Sequence, residues 1–420
     1  MKKVIVVLTV LCSINSMFSQ CWKEISAGGY DGISHSLAIK TDGTLWAWGY
    51  NGAGQLGDGS TVNKSSPIQI GNDNTWQSIS AGGMSSVALK TNHTLWAWGD
   101  YVSNVPVQIG VDSDWQIISS GNDHNFAIKT NGTLWTWTAI SPVPLQIGTD
   151  SNWKIISSNL GLNHAIKTNG TLWGWGSNYH GGIGDGTIIN KTNPVQIGID
   201  SDWDKMSNGE QCGFAIKTNG TLWAWGWNSD GQLGDGTTIN KLAPIQLGTD
   251  TDWSIIRTKY HFTMALKNSN TLWMWGGLGF SNNTNNIPTQ IGTENNWSKI
   301  TNGGANLALA LKSNSTLWDF SQNPNPPTQI SCTFLSNNDL LEEKKYVVYP
   351  NPAKNVLNIN KKSTIEVHTI SIYNQLGQVV LAIPNAENMN SVDVSSLKTG
   401  NYFLKITSDK GSATKKFIKQ

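Results

Sequence analysis

The chain carries the same pattern seven times, and that constrains its fold more than any other feature. Thr-Leu-Trp recurs with its tryptophan at Trp46, Trp96, Trp135, Trp173, Trp223, Trp273 and Trp318. Upstream of each, a W-x-x-I/M segment begins at Trp22, Trp76, Trp115, Trp153, Trp203, Trp253 and Trp297. Downstream, P-x-Q-I/L begins at Pro67, Pro106, Pro144, Pro194, Pro244, Pro288 and Pro327. Copies lie 38 to 54 residues apart. A unit this short cannot bury its own apolar face, so successive copies must stack on one another.

Within a copy the patterning is that of strands. Phe214-Ala215-Ile216-Lys217-Thr218, Asn219-Gly220 and Thr221-Leu222-Trp223-Ala224-Trp225 read as strand, two-residue turn and strand. Asn-Gly accepts the positive φ at both turn positions that such a hairpin requires. Trp223 and Trp225 sit at period two on one face, so each copy lays aromatic rings against a neighbour. Spacing and strand content predict an all-β fold: a seven-bladed β-propeller over 21–332, then a small C-terminal β-sandwich over 346–420, joined by a linker at 333–345.

Composition narrows the function. Of 420 residues only 14% are charged, with 29 basic against 28 acidic and a net charge of +1. Arg257 is the single arginine. Nucleic-acid binding needs a basic excess and favours guanidinium groups, so no nucleic-acid partner is expected. Lys2-Lys3 followed by the apolar run Val4–Leu11 and then polar residues reads as a signal peptide over 1–20. No later stretch is apolar enough to span a bilayer. The mature protein is therefore expected outside the cytoplasm, as a monomer, with lipidation at Cys21 left open.

The run Gly-x-x-His-x-x-Ala-Ile-Lys followed by Trp-x-Trp-Gly-x-Asn-x-x-Gly-Gln-Leu-Gly-Asp-Gly, best seen at His35 to Gly59 and Phe214 to Gly236, resembles the repeat of the regulator of chromosome condensation family. The resemblance covers about 22 to 332 and implies a seven-bladed propeller. The tail resembles the type A C-terminal sorting domain of the Bacteroidetes type IX secretion system. Tyr349-Pro350-Asn351-Pro352, the strand Ile370–Asn374, and Gly400-Asn401-Tyr402-Phe403 carry that likeness. It implies a secretion machinery as partner and a secreted or outer-surface destination.

Several residues are candidates for specific roles. Aligned on the repeat, Cys21 and Cys332 fall at the one junction where the chain is discontinuous, so a Cys21–Cys332 disulfide is expected to staple the ring. Cys212 holds a repeat position and reads as a packed thiol. Lys40, Lys90, Lys129, Lys167, Lys217, Lys267 and Lys312 share one position and form a ring. They are either a dock for an anionic ligand or solvated turn residues, offset by Asp73, Asp112, Asp150, Asp200, Asp250 and Glu294. Trp227, outside the three-per-copy pattern, is a candidate sugar-stacking residue. Glycine-rich loops at 51–59, 181–186 and 228–236 lack the alternating acids of a calcium loop and read as turns; the second and third copies have none. No nucleophile elbow, H-E-x-x-H or phosphate loop is present, and no cofactor or metal is implied. The expected function is an extracellular platform binding a protein or a glycan. An inhibitor-like partner of one extracellular enzyme is the alternative, and a glycan-active enzyme a more distant one.

Overall fold

The computed structural model describes residues 21–30, 32–277, 285–304, 307–321, 327–330, 346–361, 366–374, 379–387, 389–409 and 411–420. The expected leader, the 333–345 segment and Cys332 lie outside the described residues. The chain divides after Cys332 into two compact units, and every described element is a strand.

In the first unit, seven four-stranded antiparallel sheets follow one another, each with its strands in chain order. The fifth is typical: Trp203–Asn208, Cys212–Lys217, Leu222–Gly226 and Lys241–Gln246. The first strands touch successively around the molecule, and Trp297–Asn302 of the last sheet lies against Trp22–Tyr30 of the first. The seven sheets are thus the blades of a closed propeller, with the first strands innermost.

The repeat explains this closure, because each junction buries one apolar cluster. Between the fourth and fifth blades, Ile166, Leu172 and Ile197 meet Trp203, Met206 and Trp225. Across the seam, Leu309, Leu311 and Leu317 meet Trp22, Trp46 and Trp48. The tryptophans of each blade therefore face the aliphatic residues of the blade before it. Within a blade, Trp203 and Trp223 make an edge-to-face pair at 5.7 Å, a geometry that adds to their area burial. Truncating a fully buried tryptophan such as Trp225 should cost about 3–5 kcal/mol.

The hairpin turns differ from the two-residue form. Gly220 N donates to Lys217 O (2.8 Å) and Lys217 N to Thr221 O (3.0 Å), and Gly220 has φ +80°. Asn219 has no positive φ, so the connection is a type I turn closed by one left-handed glycine. Asn219 is held otherwise, its Oδ1 accepting from the Thr221 backbone N–H and hydroxyl (3.1 and 2.7 Å). A Cβ on Gly220 would stand 2.0 Å from Thr251 O. The Thr221 hydroxyl in turn accepts the Trp223 indole N–H at 3.0 Å. That bond recurs at every Thr-Leu-Trp, from Trp46 on Thr44 to Trp318 on Thr316, which gives the motif its physical reason.

Around the axis runs a belt of hydroxyls. Ser26, Ser80, Ser119, Ser157, Ser207 and Thr301 each accept the backbone N–H of a residue in the next blade, at 2.8 to 3.1 Å. In the sixth blade that position is held by Arg257.

The second unit pairs Tyr346–Tyr349, Val356–Lys361 and Ser391–Asp393 in one sheet. A second sheet orders Val379–Ile383, Val367–Tyr373, Gly400–Ser408 and Gly411–Lys419. Leu357, Ile359, Ile370, Ile372, Leu404, Ile406 and Phe417 fill its core, as expected of a small sandwich.

Candidate functional site

The lysine ring is engaged within the blades. The Lys217 ammonium lies 4.8 Å from the centroids of both Trp203 and Trp223, and 2.8 and 3.0 Å from Asp200 and Asp202. Lys90, Lys129, Lys167, Lys267 and Lys312 repeat this, paired with Asp73, Asp112, Asp150, Asp250 and Glu294. Lys40 lies over Trp22 and Trp46. Burial lowers the affinity of Lys129, Lys217 and Lys267 for their protons, but the carboxylate hydrogen bonds outweigh it and hold their pKa values above the ordinary one. Each lysine thus ties its hairpin to the junction strand through cation–π and ionic contacts.

Trp227 is half-buried. His180 of the fourth blade stacks on it at 5.6 Å, and His261 packs edge-on at 5.3 Å while bonding Asp230 at 2.7 Å. Two histidines thus contact the Trp227 ring, which stays half-buried.

The glycine-rich loops have a common hub. The buried Asn228 side chain donates to Asp235 (3.0 Å), Thr237 O (3.0 Å) and Ile239 O (3.2 Å), and accepts from Leu233 N (2.9 Å). Asn51 and Asn178 do the same in their loops. The loop carboxylates Asp58, Asp185 and Asp235 are paired with Lys64, Lys191 and Lys241 at 2.9 to 3.1 Å. No group of three or more metal-ligating side chains occurs among the described residues.

Each of these loops also covers the outer strand of the following blade. Gly59 N donates to Asn104 O, Gly186 N to Leu242 O and Gly236 N to Asn286 O, at 2.8 to 2.9 Å. Gly181 has φ +75°, and a Cβ there would stand 3.0 Å from Leu242 Cα, so glycine suits the position on both counts. The third blade has no such loop, and its last two strands are joined by residues 139–144 alone. The fourth blade's outer strand, Lys191–Gln196, therefore receives no such loop: Asn104, Thr192 and Leu242 are all exposed, but of these three only Asn104 O and Leu242 O accept a loop glycine N–H among the described residues.

The missing cover leaves a groove of about 700 Å³ between the third and fourth blades. Its floor includes Phe126 and Trp175, both buried. Its walls present Gln146, Asn163, Asn190, Asn193, Thr136 and Thr192, with His124 at the edge. Tyr179, 67% exposed, stands over it. Lys191 is the one side chain of fixed charge in the lining, and its ammonium pairs with Asp185 at 3.1 Å. The groove is thus aromatic, amide-rich and without an acid in its lining. The sequence signal for it was an absence, the lost loop of the third copy, and Tyr179 and Thr192 carried no motif of their own.

The cysteines separate cleanly. Cys212 is free and buried, and burial pushes its thiol up to about 12, so it is not a nucleophile at neutral pH. Cys21 is buried and disulfide-bonded. His35 is fully buried with Nε2 3.0 Å from the Ser86 hydroxyl, and burial, aided by the nearby Lys259 charge, brings its pKa down to about 3. Burial likewise lowers Lys259 to about 8.

In the C-terminal unit, Asn351 Oδ1 accepts from Ile418 N at 2.9 Å and its amide donates to Lys416 O at 3.3 Å. Tyr349, Pro350 and Pro352 are exposed around it. Gly400 opens the strand carrying Tyr402, whose ring stacks on Phe417 at 5.7 Å and whose hydroxyl donates to Lys398 O.

Residues 22–55, 42–89 and 219–266 match the regulator of chromosome condensation (RCC1) repeat, and residues 347–420 match a secretion system C-terminal sorting domain. Among solved structures the chain is similar to Prp20p from Saccharomyces cerevisiae, with 19% identity and a TM-score of 0.61, covering 67% of this chain and 80% of that one. It is also similar to human WBSCR16, with 15% identity and a TM-score of 0.60 over 68% and 93% of the two chains. At such identities the likeness concerns the propeller fold.

Proposed function

We propose that this chain, which carries regulator of chromosome condensation repeats in its propeller and ends in a secretion system C-terminal sorting domain, is an exported binding protein that takes a neutral glycan in the groove between its third and fourth blades. The sorting domain supports handling by a type IX machinery and a destination at the cell surface or beyond. The observation that carries the ligand class is the groove lining: an exposed Tyr179 ring above amides and hydroxyls, with no unpaired charge. Sugars present apolar ring faces and hydroxyl rims, which such a surface matches group by group. The lining holds no Asp or Glu, so it offers none of the paired carboxylates that glycoside hydrolysis uses.

A protein partner, with inhibition of one extracellular enzyme as a special case, is the second reading. Ile140, Val143 and Leu145 favour it, 65 to 79% exposed on the third blade; exposed apolar clusters of this kind mark partner surfaces.

The test is a glycan array probed with the whole chain and with Tyr179→Ala. Binding to a related set of neutral sugars, lost in the variant, supports the glycan reading. A flat array overturns it and leaves the protein partner.

A further inference from the structure

A second, half-open cavity lies on the propeller axis. It measures about 600 Å³ and is lined by the innermost strands of all seven blades. Its wall is isoleucine and the hydroxyl belt, together with Glu24, Lys205 and Arg257.

The polar groups there are almost all donors. Each of the six belt hydroxyls already accepts a backbone N–H from the next blade. A hydroxyl has one hydrogen of its own to give, and no protein acceptor for those hydrogens occurs among the described residues. Arg257, at the seventh position of the same belt, gives one N–H to Ile256 O at 2.8 Å and keeps the rest of its fork. The Lys205 ammonium donates to Ser254 O at 2.7 Å. Glu24, the cavity's carboxylate, is taken by Lys299. Two residues beyond Arg257 on the same strand face, Lys259 is 8% exposed and forms no ion pair among the described residues. The other inner strands have glycine there, apart from Asn159, whose amide is buried without a partner.

Arg257 and Lys205 are exposed towards this half-open space, and its one carboxylate, Glu24, is already held by Lys299. An anion supplies the acceptors that this ring of donors lacks. We propose that the axial cavity binds a compact oxyanion, a carboxylate, phosphate or sulfate group, with the Arg257 guanidinium as its clamp, the belt hydroxyls as further donors and Lys205 as second cation. A planar fork facing an oxyanion is the strong form of such a contact. This site is separate from the groove, and neither reading depends on the other.

The test is titration calorimetry of the whole chain with sodium phosphate, sulfate or glucuronate at ionic strength matched with sodium chloride. One-site binding of at least one of them is expected, and the tightest identifies the source of the oxyanion. Arg257→Ser restores the belt hydroxyl of the other blades, so it should fold, and it should weaken binding about tenfold or more. Lys205→Met, at a position that the third, fourth and sixth blades fill with isoleucine, should weaken it about threefold or more. Absence of binding to all three anions overturns the proposal, as does unchanged affinity in either variant that melts cooperatively.

Discussion

The Thr301 hydroxyl accepts a hydrogen bond from the Ala27 backbone N–H at 3.0 Å, across the seam where the last blade meets the first. The seam is therefore closed by the same link that joins continuous blades, such as Ser80 to Ser120. Thr301→Val keeps the shape and removes the acceptor, leaving a buried N–H without a partner. The expected loss is about 1–3 kcal/mol in a denaturant titration, with Thr301→Ser close to the parent protein.

Cys21 is expected to be joined to Cys332, which would lock that seam covalently. A loop of this length gives a chain-entropy stabilisation on the order of 5 kcal/mol. Non-reducing peptide mapping of the secreted protein should return one linked pair containing both cysteines, and reductant should lower the melting temperature. Recovery of both as free thiols would rule the link out.

Replacing a ring lysine should read out as stability. Lys167 lies 3.8 Å from the Trp173 centroid, 4.6 Å from that of Trp153 and 2.8 Å from Asp150. Lys167→Met retains the stem and loses the charge, and about 1–2 kcal/mol should go with it. Glycan affinity should be unchanged. A variant that melts like the parent but binds its ligand more weakly would place the ring in recognition instead.

Much of this architecture was legible in the sequence because it is periodic. Seven copies of Thr-Leu-Trp gave the blade count, since Thr221 and Trp223 act locally and identically in each copy. The small C-terminal sandwich was likewise legible in its short alternating strands. The groove and the axial cavity were not, since both depend on where particular copies depart from the repeat. The missing loop of the third copy has its effect on the fourth, where Thr192 O receives no bond, among the described residues, of the kind Leu242 O accepts from Gly186 N. Arg257 reads as one basic residue among 29 until closure of the ring sets it among six hydroxyls. The hairpin turn was misread for a local reason: the Asn219 side chain binds Thr221, which selects the longer turn.

Acid should unfold the propeller through its buried imidazoles. His35 titrates at about 3 in the folded protein against about 6.5 in the unfolded chain. The unfolded state therefore binds the proton first as pH falls. The stability His35 contributes is complete above about pH 6.5 and is lost progressively towards pH 3. Burial also lowers His164, in part offset by its bonds to Ile183 O and Asn208, which adds in the same direction. Urea midpoints measured from pH 7.5 to 4 should fall steadily, and His35→Gln should flatten the slope.

Filling the groove tests its origin directly. Grafting residues 177–189 of the fourth copy in place of 139–143 of the third would supply the third blade with the loop it lacks. The graft brings its own hub, Asn178, with its bonds to Asp185, Thr187 O and Ile189 O. It should lie over Thr192 as Gly181 and Gly186 lie over Leu242 in the next blade. Three observations are expected together: unchanged circular dichroism, a melting temperature equal to or above the parent's, and loss of glycan binding as complete as in Tyr179→Ala. The first two test whether loop and outer strand are complementary across any junction of the ring. The third separates the groove from every other surface, because the graft leaves Trp227, the lysine ring and the axial cavity untouched. A folded graft that still bound sugar would move the site off this groove.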